Sequence, residues 1–322
     1  MKSLNLGVMG LGAIGQKHCS ALAKIERANI CAVADVNEKV LASTAAQYKA
    51  TPYIDVKRML AQPDLDAVIV ATPDQLHRDA CVWAAQSGKH ILVEKPLATS
   101  LEDAEAIIHA TDAAGVKLMV GFSLRFALHY MHVKKVVSDG TLGDLVSIFA
   151  RRLNVISQPE RLKGRVGVLM FLGTHDFDAM RWIVNSEPVS IFAQASTSVP
   201  SAYPIENETF SIIRFANGVV GCAQIGWYLP DQHPAGRDFK LDLSGSKGSL
   251  NLDQMRQGIE IYTQGGAKFP SISAGLVDED RAFVDCVLDD KPMPATGKDG
   301  LMALRMVLAA LKSIETGQPV NL

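Results

Sequence analysis

LNLGVMGLGAIGQKHCSALAKI, residues 4 to 25, places an apolar run before a glycine-rich turn and a helix-like tail. Residues 4 to 9 are mostly apolar and suit a buried strand, Gly10, Gly12 and Gly15 form G-x-G-x-x-G, and residues 16 to 25 read as a helix. In that order each glycine has a task. Gly10 permits the tight turn, Gly12 lets the backbone approach a pyrophosphate, and Gly15 lets helix and strand pack closely. The helix start at Ala13 and Ile14 then offers unpaired N–H groups and a positive dipole end. A second apolar run, Ile30 to Ala34, ends at Asp35, 20 residues beyond Gly15. A carboxylate there can accept hydrogen bonds from an adenosine ribose and would repel a 2′-phosphate. The stretch therefore predicts dinucleotide binding. Lys39 could offer a phosphate some charge, but no arginine directly follows Asp35, so NAD is favoured over NADP.

The chain has 322 residues, long enough for two domains and a sizeable core. Lys plus Arg number 32 against 34 for Asp plus Glu, so nothing suggests a nucleic-acid partner. Apolar residues make up 48%, in short runs interrupted by charges, and no membrane-spanning segment is expected. The N-terminus leads directly into the first strand without room for a signal peptide. Five widely scattered cysteines, without a C-x-x-C pair or a His/Cys cluster, read as reduced thiols of a cytoplasmic protein and indicate no zinc site.

Strand-like and helix-like segments alternate through about residue 121, with strands at 66–71, 90–93 and 117–120 and helices at 75–87 and 101–114. This predicts a doubly wound, parallel α/β Rossmann domain over residues 1–122. From Asp144 longer strand-like stretches follow, at 144–155, 188–197, 208–216, 219–228, 238–244, 248–253 and 258–263. Asn217-Gly218 and Ser246-Lys247-Gly248 are turn signals between them. Helices are expected at 167–184, 278–288 and 300–316, which makes residues 123–322 an α+β domain with a mainly antiparallel sheet.

Ligands gather at the carboxyl ends of strands in such sheets. Two segments there, Ala71-Thr72-Pro73-Asp74-Gln75-Leu76-His77 and Glu94-Lys95-Pro96, supply Thr72, Pro73, His77, Glu94 and Lys95 as candidate cofactor contacts. Lys95 can also donate a charged hydrogen bond to a substrate hydroxyl and favour its alkoxide character. An isolated E-K-P would read as a surface turn; placement at a strand end reverses that preference. His175, in Gly173-Thr174-His175-Asp176-Phe177-Asp178, suits proton removal from a secondary alcohol near neutral pH. On a helix it shares a face with Asp178. A packed core histidine explains the residue equally well.

Taken together, these segments resemble the glucose-fructose oxidoreductase and inositol dehydrogenase family (Gfo/Idh/MocA) over nearly the whole length. The matching elements are GLGAIG, Asp35, ATPDQLH, VEKP, GFSLRF at 121–126, GTHDFD and the closing DGLMALRMVLAALKSIETGQPV. The resemblance implies NAD(P)-dependent oxidation or reduction of sugars and polyols, and a large open second sheet used in a homodimer or homotetramer. It also implies that Lys95 and His175 are catalytic and that Arg125 lies in the substrate pocket. One departure stands out. Family inositol dehydrogenases carry an aspartate four residues before the histidine, and that position is Phe171 here. Phe171 could pack on the apolar face of a sugar ring or belong to the core, and Asp176 or Asp178 would then supply any orienting carboxylate. Loss of that aspartate also leaves open a dinucleotide-binding regulatory protein with weak chemistry. Arg151, Arg152, Arg161, Lys163 and Arg165 raise a further alternative, an acidic or nucleotide sugar, although solvated charges explain them as simply. Trp227 reads as core, and Tyr228 remains a candidate substrate contact.

Overall fold

A computed structural model of the chain describes residues 2–196, 203, 205–253, 258–263, 266–268 and 275–322. Its first elements are β1 (Leu4–Met9), α1 (Ala13–Leu22), β2 (Ala28–Ala34), α2 (Glu38–Tyr48), β3 (Thr51–Tyr53), α3 (Val56–Leu60), β4 (Ala67–Val70), α4 (His77–Gln86), β5 (His90–Glu94), α5 (Leu101–Ala114) and β6 (Leu118–Gly121). There follow α6 (Leu128–Ser138), β7 (Leu145–Val155), α7 (Gln158–Arg161), α8 (Thr174–Val184), β8 (Pro188–Ser196), β9 (Glu208–Phe215), β10 (Val220–Leu229), β11 (Arg237–Gly245), β12 (Gly248–Asp253), β13 (Gly258–Thr263), β14 (Gly266–Lys268), α9 (Leu276–Leu288), α10 (Gly297–Thr316) and β15 (Val320–Asn321). The chain forms two compact units, Met1–Phe126 with Ala274–Leu301, and Ala127–Ser273 with Met302–Leu322.

The first unit is built on a six-stranded sheet of order β3-β2-β1-β4-β5-β6 with every neighbouring pair parallel. All four residues of β4 are buried, as are Leu6, Val8 and Met9 of β1. Parallel strands covered on both faces need such near-continuous apolar runs. The strand order reverses between β1 and β4, which opens a crevice at their carboxyl ends. Residues 36–65, unassigned from sequence, hold α2, the three-residue β3 and α3; Asn37 caps α2 by accepting from the Lys39 and Val40 amides.

The expected boundary after residue 122 needs correction in two places, because the first unit continues to Phe126 and then regains Ala274–Leu301. The physical reason is α9. It buries Glu279, Asp280, Phe283, Val284 and Cys286 and packs on α1 and β1, and Asp280 bonds His18 of α1 at 2.8 Å.

The second unit carries a nine-stranded sheet of order β14-β13-β12-β11-β7-β10-β9-β8-β15, antiparallel except for the β7–β10 pair. Gly218, at φ +89°, makes the expected β9–β10 turn, and Ser246-Lys247 joins β11 to β12. Residue 197 of the strand expected at 188–197 lies outside the described residues. Period-two alternation separates the sheet's faces. Thr209, Ser211 and Ile213 of β9 are buried, whereas Phe210 and Ile212 are 46% and 49% exposed. The single helix expected at 167–184 is instead a π-helical turn, Leu169–Gly173, leading into α8. Glu206 takes the first donors of that turn: its carbonyl accepts from the Val168 amide and its Oε1 from the Leu169 amide at 3.0 Å. The Thr174 amide then reaches back five residues to the Leu169 carbonyl.

Glu279 lies fully buried in α9, and neither of its carboxylate oxygens has a hydrogen-bond partner among the described residues. Burial raises its proton affinity well above the carboxylate range, and the nearby Glu94 and Asp280 charges add to this against His18. A carboxyl with a raised folded pKa favours folding fully only at low pH, and that contribution is lost as pH climbs from the unfolded value toward the folded one. Glu279→Gln, which cannot ionise, should therefore gain thermal stability relative to the wild type between about pH 5 and pH 8, by about 2 °C or more in Tm. Thermal unfolding at the two pH values checks this; a gain that shrinks with pH contradicts it.

Candidate functional site

The first unit's crevice begins at Gly10, whose φ of +85° and approach to Ala71 exclude a side chain; an added Cβ would lie 2.5 Å from the Ala71 carbonyl oxygen. At Gly15 a Cβ would sit 1.9 Å from the Gly10 carbonyl oxygen, so α1 can start only where a glycine stands. Gly12 faces open space, with nothing within 4 Å of its would-be Cβ, and neighbouring Ala13 is exposed while Ile14 is half-buried. The first amides of α1 lack intrahelical acceptors, so the exposed turn presents donors beside a backbone clear of side chains. At the end of β2, Asp35 Oδ2 accepts from the Leu11 amide at 2.6 Å and Oδ1 from the Asn37 amide at 2.7 Å. Asp35 thus braces the glycine turn and still has lone pairs to offer. Beyond β4, Pro73 is exposed, and the Thr72 hydroxyl oxygen is buried with no partner among the described residues. The open turn, the half-exposed carboxylate and this orphaned hydroxyl fit a dinucleotide.

Two expected cofactor contacts are structural ties. His77 is fully buried, with Nδ1 2.8 Å from the Pro96 carbonyl and Nε2 3.0 Å from the Thr72 carbonyl, so it joins the segments after β4 and β5 and leaves no ring nitrogen for a ligand. Glu94 is only 8% exposed; its Oε1 lies 3.1 Å from His18 Nε2, and its Oε2 accepts from the Lys95 amide at 3.1 Å. Lys95 itself is half-buried at the carboxyl end of β5.

Arg125 has a structural task of its own. It is 7% exposed, donates to the Pro294 carbonyl at 2.8 Å and pairs with Asp299 at 3.2 Å, so it fastens the returning segment of the first unit.

In the second unit His175 stands half-buried in the first turn of α8. Asp176 is 1% exposed and forms a two-point ion pair with Arg152, so it is not a substrate contact. The Arg152 guanidinium also covers the Phe239 ring at 4.3 Å, and Arg151 binds Gln224 and Asp238. Those two arginines are therefore consumed internally, which removes part of the support for an acidic sugar. Phe171, on the π turn, is half-buried with its ring centre 6.1 Å from that of Trp227. Trp227 is fully buried and donates to Asn207 at 2.7 Å, as a core residue should. Tyr228 alternates to the sheet's other face, where its hydroxyl accepts from Gln224 at 2.9 Å and its proton affinity is pushed up to about 12, chiefly by burial and then by Glu208. It lies away from Phe171 and is withdrawn as a substrate contact.

Residues 4–122 match the model described as "Oxidoreductase family, NAD-binding Rossmann fold", and residues 130–251 match the "GFO/IDH/MocA C-terminal domain". The chain belongs to the Gfo/Idh/MocA family. Among its relatives, the myo-inositol 2-dehydrogenase of Thermotoga maritima is 28% identical, with 99% of this chain and 98% of the relative covered. The inositol 2-dehydrogenase of Rhizobium meliloti is 27% identical with 99% of each covered. A crystal structure of GenD2 from gentamicin A biosynthesis, in complex with NAD, superposes with a TM-score of 0.89 at 25% identity, over 100% of this chain and 97% of that one. As a Gfo/Idh/MocA protein, the chain is an NAD-binding oxidoreductase.

The structure adds candidates that motif reading passed over. Val36, Ile54 and Leu76 follow β2, β3 and β4 at the sheet's carboxyl edge and are 86%, 57% and 53% exposed. Three large apolar side chains in water at that edge suit a flat apolar ligand group. A sequence signal existed, since each follows the end of a strand directly or within a few residues, but period-two and period-3.6 patterns do not mark such positions.

The glycines separate cofactor affinity from folding. Gly12→Ala should leave stability within about 0.5 kcal/mol of the wild type and weaken NAD binding about tenfold or more. Gly15→Ala should cost at least about 1–3 kcal/mol of stability, because backbone must move. Thermal unfolding and NADH fluorescence titration measure the two effects; equal NAD affinity in Gly12→Ala contradicts the placement of the pyrophosphate.

Proposed function

We propose that the protein is an NAD-dependent dehydrogenase of a sugar, polyol or inositol-like substrate, acting at a secondary hydroxyl. The observation that carries this reading is the open glycine turn braced by Asp35 in the same sheet whose β5 leads directly into Lys95. Near full-length similarity to relatives named inositol 2-dehydrogenases supports the substrate class. Gly10, Gly12, Ala13, Ile14 and Gly15 would hold the pyrophosphate, Asp35 would take the adenosine ribose, and Val36 and Leu76 would offer apolar surface to the adenine. NAD, when bound, supplies the hydride acceptor. The Lys95 ammonium stabilises negative charge as it develops on the substrate oxygen, and His175 takes the hydroxyl proton. Phe171, half-buried against Trp227, offers an apolar ring to one face of the substrate in place of a carboxylate.

The sheet of the second unit supports a homo-oligomer. On its open face the register aligns Phe192, Ile212, Cys222 and Phe149 across β8, β9, β10 and β7, with exposed Phe210 and Val220 nearby. The polar group of Gln224, Glu208, Tyr228 and Arg151 borders this row. An apolar centre with a hydrogen-bonding rim suits a second copy of the chain across a two-fold axis. We place the protein in the cytoplasm, where five unbridged cysteines persist as thiols. Among the described residues no helix is long and apolar enough to cross a membrane.

Lys95→Met and His175→Asn should each lower kcat about 100-fold or more with NAD and the best substrate of a panel of inositols, polyols, aldoses and uronates. Nicotinamide absorbance reads the rate. Unchanged turnover in the double variant would falsify the assigned roles, whereas tight NADH binding without turnover across the panel would favour a regulatory protein.

A further inference from the structure

Directly behind Lys95 lies a buried ionic cluster that the hydride-transfer reading does not use. His18, on α1 three residues after Gly15, is fully buried, and each ring nitrogen meets a different carboxylate: Nδ1 lies 2.8 Å from Asp280 Oδ1 and Nε2 lies 3.1 Å from Glu94 Oε1. A neutral imidazole donates from one nitrogen only, so satisfying both carboxylates requires the imidazolium. The other oxygen of Glu94 accepts the Lys95 amide at 3.1 Å. One side chain therefore ties together the helix that starts at the nucleotide turn, the strand end that carries Lys95, and the returning helix α9. Gly121, paired with Glu94 across β5 and β6, leaves room for this, since a Cβ there would meet the Glu94 carboxyl carbon at 3.3 Å.

Charges explain why the bridge persists in the dry interior. Burial alone would lower the proton affinity of His18, but the charge and hydrogen bond of Asp280, joined by those of Glu94, raise it well above the usual histidine range. Burial acts most strongly and would raise Glu94, but the hydrogen bond and charge of His18, joined by the charge and amide of Lys95, together outweigh it and hold the carboxylate ionised. The groups facing His18 are Asp280 and Glu279 from α9 and Glu94 with Lys95 from β5; Cys19 follows it on α1, a thiol pushed up to about 12 by burial and then by Asp280. With Glu279 protonated, two carboxylates face one imidazolium.

We propose that His18 is a positioning residue: as an imidazolium bridging Glu94 and Asp280, it holds the carboxyl end of β5, and with it Lys95, in register with the nucleotide turn at the head of α1. The proposal rests on the role given to Lys95 above. It makes the cluster part of the reaction's machinery without contact with substrate or cofactor.

Nitrogen-15 spectra of histidine-labelled wild-type protein test the charge. One of the eight imidazole rings should remain doubly protonated at about pH 8.5; if all rings are neutral there, the proposal is wrong. Two variants test the positioning. Asp280→Asn removes one of the two anions that hold the His18 proton while burial still opposes the charge, so His18 should lose its proton at a lower pH than in the wild type, and the ratio of variant to wild-type kcat should fall about tenfold between about pH 6 and pH 8.5. His18→Gln should show a ratio lowered about tenfold with no slope over the same range. A merely structural cluster would lower Tm in both variants and leave the Asp280→Asn ratio flat, which overturns the proposal. Should the variants fail to fold, the wild-type spectra decide. Normal turnover in Lys95→Met overturns the role of Lys95, whereas a flat Asp280→Asn ratio beside an inactive Lys95→Met overturns only that of His18.

Discussion

Where α1 begins, the peptide backbone occupies space that any side chain would need. A Cβ on Gly15 would collide with the Gly10 carbonyl, and one on Gly10 with the Ala71 carbonyl, so β1, α1 and β4 meet through glycine backbone alone. This close approach leaves Gly12 facing open space and lets Asp35 reach the Leu11 amide. It also sets the direction of α1, which carries His18 inward to Glu94 and Asp280. Cofactor turn, strand end and returning helix thus derive from one steric constraint.

Burial decides which polar residues remain available for chemistry. Arg125, Arg152, Asp176 and His77 all belong to residue types that bind ligands, yet each is below 9% exposed and engaged within its own unit. A buried charge must be paired or hydrogen-bonded to be tolerated, so a partner inside the protein is the condition of its being there. Lys95 and His175 differ in remaining half-buried at the start of a turn or helix. Glu279 stands apart as a fully buried acid that relies on protonation instead of a partner.

The parallel sheet was legible from the chain because a strand covered on both faces needs an unbroken apolar run, as Ala67 to Val70 shows, and the glycine turn was legible because its spacing answers a steric demand. Less legible were elements whose signal is weak or whose partner is remote. β3 has three residues, one of them proline, and α2 buries only Leu41, Thr44 and Ala45. The π turn before His175 depends on Glu206, more than thirty residues further along the chain, which takes the Val168 and Leu169 donors. The fate of Arg125 followed from the Pro294 carbonyl, which has no local pattern, whereas that of Tyr228 followed from period-two alternation beside the buried Trp227.

The discontinuous first unit has a consequence for the order of events during synthesis. A ribosome delivers β1 to β6 early, but Asp280 emerges only after β7 to β14 of the second unit have been translated. Until then His18 lacks its Asp280 partner, and the side of α1 that packs on α9 has no cover. The nucleotide-binding unit therefore cannot mature as an autonomous N-terminal piece. It is completed only once the intervening strands of the second unit have been made, so a product stalled before α9 would carry every glycine of the turn and lack the helix that seals it.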